Sequence, residues 1–492
     1  MIQFKNKKKK STSLKKNALL NGFRSILNLI FPLVTFPYVS RVLDVDGIGK
    51  YNFSSSIVSY FLLIAGLGIS TYAIREGARY RDDKEKIGQF ASEVFSINIW
   101  STVLAYLLLF VCLALFKDLR NYLLCILIFS IQIFFTTIGT EWIYTIYEEF
   151  SYITIRSIIF QIISVVLLFT FVRQKQDYII YAAITVFSAV GANILNFIQA
   201  RKYARIRFTF HVDWKRHLIP ILVIFGSSVA NMIYVNSDVT LLGLLKDNYV
   251  VGLYGISSKI YSMVKMLIAS ILIVTVPRLA LLYGKRQVKQ YRAILMKVTD
   301  TLMIATLPAT VCLFMLSKNI ILIFSGAKYL QATTSLQILS CAYIFSILAW
   351  ILTDCVLLPA QRERMVLVSM GVSAVVNIAL NFLLIPYWNE NAAAFATVMA
   401  EFTMLVLNYF FGRDLVQGIY FSKKMGKNFI ASAIGCSAVA VICWGIPKFV
   451  PSLGGSTMIA LILSILAYVA ILYFLGNNLA KELVADVKAK FK

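Results

Sequence analysis

Fourteen apolar stretches, separated by short polar breaks, run through this 492-residue chain. Each is roughly 20 residues or more, long enough to cross a hydrocarbon core of about 30 Å. A segment in lipid must satisfy its own backbone N–H and C=O groups, so only helices or a closed barrel can span. Continuous apolar runs of this length, without strict alternation, specify helices. Spans are expected near 17–40, 51–74, 89–116, 121–146, 151–172 and 177–200, then near 217–244, 249–276, 294–317, 332–359, 365–386 and 392–412. Two more follow near 428–448 and 456–476. Charged residues make up 14% of the chain, against about 25% in soluble domains. The expected fold class is an all-α polytopic membrane protein with about 14 transmembrane helices.

An internal repeat organises these spans. At an offset of 203 residues, Asp44 matches Asp247, Gly49 matches Gly252 and Tyr51 matches Tyr254. Ser54 and Ser55 meet Ser257 and Ser258, while Arg75 meets Arg278 and Tyr80 meets Tyr283. With Ser25, Asn28, Ile30, Ile57 and Ser59 and their counterparts, this makes 12 identities over the 56 positions Ser25–Tyr80. Such self-similarity marks a duplication. The offset covers six spans, an even number, so both copies cross in the same direction as parallel repeats, and bundles of this kind bind substrate between their halves. The expected organisation is a basic cytoplasmic tail (1–16), a six-helix lobe (17–200), a basic linker (201–216), a second six-helix lobe (217–414), two extra C-terminal helices (427–476) and a tail (477–492). In this reading Gly49 and Gly252 allow tight outer turns, and Pro37 and Pro386 mark kinks or helix ends.

The net charge of +25 does not indicate nucleic acid. Most of the Lys and Arg fall in segments on one side, including Lys7–Lys10, Arg75–Lys86 and Arg201–Arg216. That asymmetry is the positive-inside bias that orients spans, and it predicts cytoplasmic N- and C-termini in a bacterial inner membrane. The first apolar run is too long for a signal-peptide core, so no cleavable leader is expected. The seven cysteines lie inside spans without paired spacing, as small apolar residues. His211 and His217, at the basic linker and without a Cys or carboxylate cluster, do not make a metal site. Every loop is short, and no phosphate-binding or nucleophile-elbow motif is present. The chain is therefore expected to be a secondary transporter and not an enzyme, with no cofactor beyond a coupling H⁺ or Na⁺.

Ionisable residues inside spans cost a few kcal/mol and usually face protein, water or a substrate path. The basic ones are Arg24, Arg156, Lys259, Lys265 and Lys297; the acids are Glu93, Glu141, Asp238, Asp300, Asp354 and Glu401. Arg24 and Arg156 lie near the cytoplasmic end, within reach of snorkelling or of pairing with Glu93 and Glu141. Lys259 and Lys265 lie mid-span, replacing Ser56 and Leu62 of the first copy. At 100° per residue they point 120° apart, so one can face a cavity while the other faces a neighbouring helix. Two mid-membrane lysines suit a phosphate or pyrophosphate headgroup, although either acid nearest mid-span, Asp238 or Glu401, could neutralise a lysine.

At this point several motifs converge. They include Asn28…Pro32…Pro37-Tyr38…Arg41-Val-Leu43, Gly47-Ile-Gly49-Lys-Tyr51, and Ala73-Ile-Arg75-Glu76 followed by Arg79-Tyr80-Arg81-Asp82. Further on come Glu141-Trp142…Tyr147-Glu148-Glu149-Phe150…Arg156-Ser157, Val251-Gly252-Leu-Tyr254 and Phe324-Ser-Gly326. Over about 14–414 the chain resembles the Wzx-type polysaccharide flippases of the multidrug/oligosaccharidyl-lipid/polysaccharide exporter superfamily. It departs from them after Ile385-Pro386, where Trp388-Asn-Glu-Asn-Ala392 stands in place of a glycine-rich turn. The resemblance implies two V-arranged lobes and alternating access. The implied cargo is an undecaprenyl-pyrophosphate-linked oligosaccharide repeat unit, moved to the outer leaflet for surface polysaccharide, with membrane lipids and polymerase machinery as partners. On that basis Arg24, Arg156, Lys259 and Lys265 are assigned to the substrate head, Asp238 and Glu401 to ion coupling, and Arg75 and Arg278 to helix anchors or an inner gate. A lipid II flippase of the same superfamily and a multidrug cation antiporter are the competing readings.

Overall fold

The computed structural model describes residues 31–417, 423–477 and 479–482. The chain divides into two compact units, one holding Ser54–Val229, the other Phe36–Phe53 with Ala230–Lys492. The helices are α1 (Val45–Gly66), α2 (Ile69–Gly77), α3 (Lys84–Leu115), α4 (Leu123–Gly139), α5 (Glu141–Ile146), α6 (Phe150–Phe171), α7 (Tyr178–Val190) and α8 (Asn193–Ala200). Then come α9 (Trp214–Leu245), α10 (Asn248–Gly284), α11 (Val288–Phe324), α12 (Ala332–Ile351), α13 (Glu363–Trp388), α14 (Glu390–Val416), α15 (Lys423–Phe449) and α16 (Leu453–Phe474). Twelve spans among the described residues are long and apolar enough to cross a membrane. The first predicted span, 17–40, lies mainly outside the described residues.

Three of the predicted spans, 51–74, 121–146 and 177–200, carry internal breaks, the last between α7 and α8. In 51–74 the chain turns at Leu67 and Gly68, with φ of 45° and 73°. The break frees the Ala65 carbonyl, which then accepts hydrogen bonds from Asn98 Nδ2 at 2.7 Å and Ser101 Oγ at 2.6 Å on α3. Thr140, at φ 41°, separates α4 from α5, and Asn193 Nδ2 donates to the Phe135 carbonyl at 3.0 Å. Polar side chains inside spans thus restore the partners that the breaks remove. By contrast Pro220, Pro277, Pro308 and Pro386 sit inside α9, α10, α11 and α13 without ending them.

The repeated phrase has a different role from the tight turns expected of it. Asp44 Oδ1 accepts from the Gly47 amide at 2.7 Å, and Asp247 Oδ1 accepts from the Val250 amide at 3.0 Å. These are matching N-caps on α1 and α10. The two helix starts then cross reciprocally: a Cβ on Gly49 would overlap the Asn248 carbonyl, and one on Gly252 would overlap the Val45 carbonyl. The glycines serve close helix–helix approach, and the turns precede them. Where a glycine-rich turn is missing after Pro386, Asn389 takes φ 49° between α13 and α14.

In the second unit, α15 and α16 pack on α11 through Cys312, Leu316, Val439, Cys443, Ala460 and Leu472. A π-helical turn, Leu352–Leu357, continues α12.

Candidate functional site

Two ionic arrangements share α10 and α14 in the second unit. Lys265 Nζ donates to Glu401 Oε1 at 2.7 Å. The ammonium also lies 5.6 Å from the Tyr261 ring centroid and 5.7 Å from that of Trp350, within cation–π range. Tyr261 is itself stacked on Tyr343, whose hydroxyl donates to the Tyr261 carbonyl at 2.8 Å. Glu401 is only 4% exposed. A carboxylate removed from water needs a partner of opposite charge, and Lys265 is that partner. The acid placed by sequence among the coupling candidates therefore spends its charge on a lysine placed among the headgroup candidates.

One turn from Glu401 along α14, Thr397 meets a second buried acid, Asp238, which has neutral partners instead. Its Oδ1 accepts from Asn377 Nδ2 at 2.9 Å and Asn381 Nδ2 at 2.7 Å. Its Oδ2 accepts from Tyr254 at 2.5 Å and Thr397 Oγ1 at 2.6 Å. Four helices converge here: α9 brings Asp238, α10 Tyr254, α13 the two asparagines and α14 Thr397. Ser237 donates to Asn377 Oδ1 at 2.7 Å, fixing that amide. Hydrogen bonds to a charged group contribute about 1.5–3 kcal/mol each, so four of them offset much of a desolvation cost of several kcal/mol. All four contacts present N–H or O–H donors to the carboxylate, so a proton or cation reaching it has to turn one of them aside. Sequence alone singled out Asp238; Asn377 and Asn381, four apart on one helix face inside a span, were the available signal for the rest.

The remaining predicted residues separate. Lys259 is exposed on α10, and among the described residues no carboxylate is placed against it. Arg156 is buried, with Nη2 3.9 Å from Glu141 Oε1 and the guanidinium 6.0 Å from the Tyr152 ring. Ion pairing, which the sequence left open, is thus realised for Arg156. Arg24 lies outside the described residues. Arg75 is exposed beside Glu76 (3.6 Å), and Arg278 is exposed six residues before the end of α10.

One cluster was missed. His217, read from sequence as part of a basic loop, is fully buried at the start of α9. Its Nδ1 lies 2.7 Å from the Tyr72 hydroxyl and its Nε2 2.7 Å from Glu93 Oε2. Gln89 Nε2 donates to the other Glu93 oxygen at 2.9 Å. Glu93 is accordingly held by α9, and nothing in one-dimensional spacing joins positions 93 and 217.

Parallel duplication, broken apolar helices and buried ionic sites at membrane depth define a polytopic membrane transporter fold. Residues 14–282, more than half of the chain, match the profile of the polysaccharide biosynthesis protein family, and residues 224–383 match MatE. The chain belongs to the polysaccharide biosynthesis protein family, within the superfamily that its motifs resemble. It is 23% identical over 279 residues to a candidate O-antigen transporter of Escherichia coli (strain K12), a match covering 54% of this chain and 65% of that protein. A candidate O-antigen transporter of Shigella dysenteriae is 23% identical over 399 residues, covering 79% and 97%. The fold is similar to that of lipid II flippase MurJ in its inward closed conformation, with a TM-score of 0.74, 16% identity and coverage of 94% and 99%.

Proposed function

We propose that this protein moves an undecaprenyl-pyrophosphate-linked oligosaccharide repeat unit from the cytoplasmic to the outer leaflet, for assembly of a surface polysaccharide. The observation that carries the reading, beyond family membership, is the contrast between two lysines on α10. Lys265 is neutralised by Glu401, whereas Lys259 stands exposed at mid-span with no carboxylate among the described residues placed against it. A cation at that depth costs a few kcal/mol, and an anionic headgroup in transit is the partner that offsets it. The sugar and pyrophosphate would otherwise have to shed their hydration in lipid, while the polyprenyl tail remains in the bilayer. Arg156, with its charge shared with Glu141, and Arg24 contribute to the head path in this scheme. Arg75 and Arg278 act as anchors or an inner gate.

In the same scheme Asp238 is the coupling site, taking H⁺ or Na⁺ at its carboxylate as one of its four donors turns away. Glu401 is the weaker coupling candidate because Lys265 already occupies it. A cation exporter would need acids to outnumber bases in the path, which Lys259 opposes. Mass spectrometry of lipid-linked intermediates after depletion of the protein tests the substrate. Accumulation of a complete repeat unit on its carrier, with lipid II unchanged, is expected. Accumulation of lipid II alone would transfer the chain to cell-wall synthesis.

A further inference from the structure

The exposed face of α3 changes character abruptly. Its first exposed residues are Lys84, Glu85, Lys86 and Gln89; the next is Trp100, and from there to Leu115 every exposed side chain is apolar. Those last 16 residues rise about 24 Å, most of a hydrocarbon core of about 30 Å. The lipid boundary on this face therefore falls near Trp100.

The segment between α8 and α9 is strapped along the same face just above that boundary. Ser92 Oγ donates to the Arg205 carbonyl at 3.1 Å and accepts from the Arg207 amide at 3.1 Å. One turn on, Ser96 Oγ accepts from the Thr209 amide at 2.8 Å. The strap brings Phe208 and Phe210 to Trp100, with ring centroids 6.2 and 6.4 Å away. Phe210 is 75% exposed and Trp100 44%, so the three rings form an apolar patch open to its surroundings at the boundary. Aromatic rings favour that depth.

Directly above the patch lies a cleft of about 630 Å³ lined by Lys84, Arg201, Lys202, Arg205 and Arg207, with Glu85 as its one acid. Among the described residues, the ion pairs at this end of the unit, Lys86–Asp83, Arg81–Glu148 and those of Glu76 with Arg75 and Arg79, do not involve these five. Positive-inside bias alone requires basic residues on this side of the membrane, but not their convergence on one cleft, nor a strap pinned by two buried-face serines. A phosphodiester at headgroup level, with acyl chains running down past the rings, matches both halves of the feature. We propose that this cleft binds the headgroup of an anionic phospholipid, with Trp100, Phe208 and Phe210 seating the upper acyl chains.

The test uses the full-length protein, purified in detergent and titrated with phosphatidylglycerol or phosphatidylcholine while bound lipid is counted by native mass spectrometry. Each basic residue near an anionic surface is worth about fivefold in affinity. R205Q/R207Q should therefore weaken phosphatidylglycerol binding roughly 25-fold and leave phosphatidylcholine unaffected. K84Q/K202Q, at side chains that carry no strap contact, should give a loss of the same order and guards against a displaced strap in the first variant. Unchanged phosphatidylglycerol binding in both variants overturns the proposal. Displacement of phosphatidylglycerol by millimolar inorganic phosphate would overturn it too, by showing a bare anion site. Selective capture of undecaprenyl pyrophosphate over phosphatidylglycerol would instead make the cleft a substrate site.

Discussion

Lys265→Met and Lys259→Met remove one ammonium each from the same helix, six residues apart, and the structure separates their costs. Lys265→Met leaves the Glu401 carboxylate buried, with a long 3.4 Å contact from the Tyr261 hydroxyl in place of the lysine. Removing one member of a buried ion pair costs about 3–5 kcal/mol, because the other charge stays desolvated. The cation–π contacts to Tyr261 and Trp350 vanish as well. Lys259→Met strands no buried acid, and an exposed substitution of this kind stays within about 0.5 kcal/mol. The assay is thermal unfolding of purified protein in one detergent, together with surface polysaccharide in a null strain carrying each variant. Lys265→Met should lower the unfolding temperature by several degrees and reduce membrane abundance. Lys259→Met should unfold like the wild type and still lose most of its polysaccharide. The double variant Lys265→Met/Glu401→Gln should recover most of the lost stability, since the orphaned charge has gone. Equal melting of the two single variants, or no recovery in the double variant, would refute the assignment of Lys265 as a structural counter-ion.

Three further outcomes follow from the geometry. Gly252→Val should unfold or mislocalise the protein, because its side chain would enter the Val45 carbonyl; overpacking of this kind costs about 1–3 kcal/mol or more, and a protease-protection or melting comparison with Gly454→Val, at an uncrowded helix start, measures it. Asp238→Asn keeps the size of the side chain but removes the charge from a cage of four donors. Transport in proteoliposomes should then lose its response to a proton or sodium gradient, and a retained response would exclude Asp238 as the coupling site. His217→Ala should loosen the start of α9 from α2 and α3 and leave Glu93 without its ring partner. A stability loss of about 1–3 kcal/mol is expected, whereas wild-type melting would show that the triad contributes nothing.

Architecture was legible because lipid leaves the backbone so few choices: long apolar runs read as helices, and a fixed offset between two phrases read as duplication. What the phrases do was less legible. Gly49 looks like a turn residue in one dimension, yet it admits another helix's carbonyl, while Asp44 beside it caps a helix. The glycine's role depends on which helix arrives, a tertiary fact. The ionic residues behaved similarly. Their cost in lipid marks them as unusual, and so Lys265, Glu401 and Asp238 could be selected from sequence. Their partners could not, since the choice between Lys265–Glu401 and Lys259–Glu401 rests on the 120° between two side chains and on where α14 packs. His217 was invisible for the same reason. Its charge-rich neighbours in sequence suggested a loop, and its burial is created by Tyr72 and Glu93 from two other helices.

The duplication also shows where the two copies part. At the repeat offset, Asp247 and Gly252 of α10 keep the residues of α1, as do Tyr254 and Tyr51, so capping and crossing are common to both copies. Asp238, Lys259 and Lys265 instead correspond to Thr35, Ser56 and Leu62. Capping and crossing are shared, but among the described residues the second copy alone carries a buried carboxylate caged by neutral donors together with a mid-span lysine. With Asp238 proposed as the coupling site and Lys259 as the headgroup contact, both roles fall to the same unit, and Thr397 and Tyr254, which touch Asp238, lie on the two helices that also hold the Lys265–Glu401 pair. An ion at Asp238 and an anion at Lys259 would then bias the same bundle, and neither needs a partner site in the first unit to do so. Grafting Asp at Thr35 should accordingly add a buried charge without adding ion coupling, because Tyr51 is present but the α13 asparagines have no counterpart in reach of the repeat.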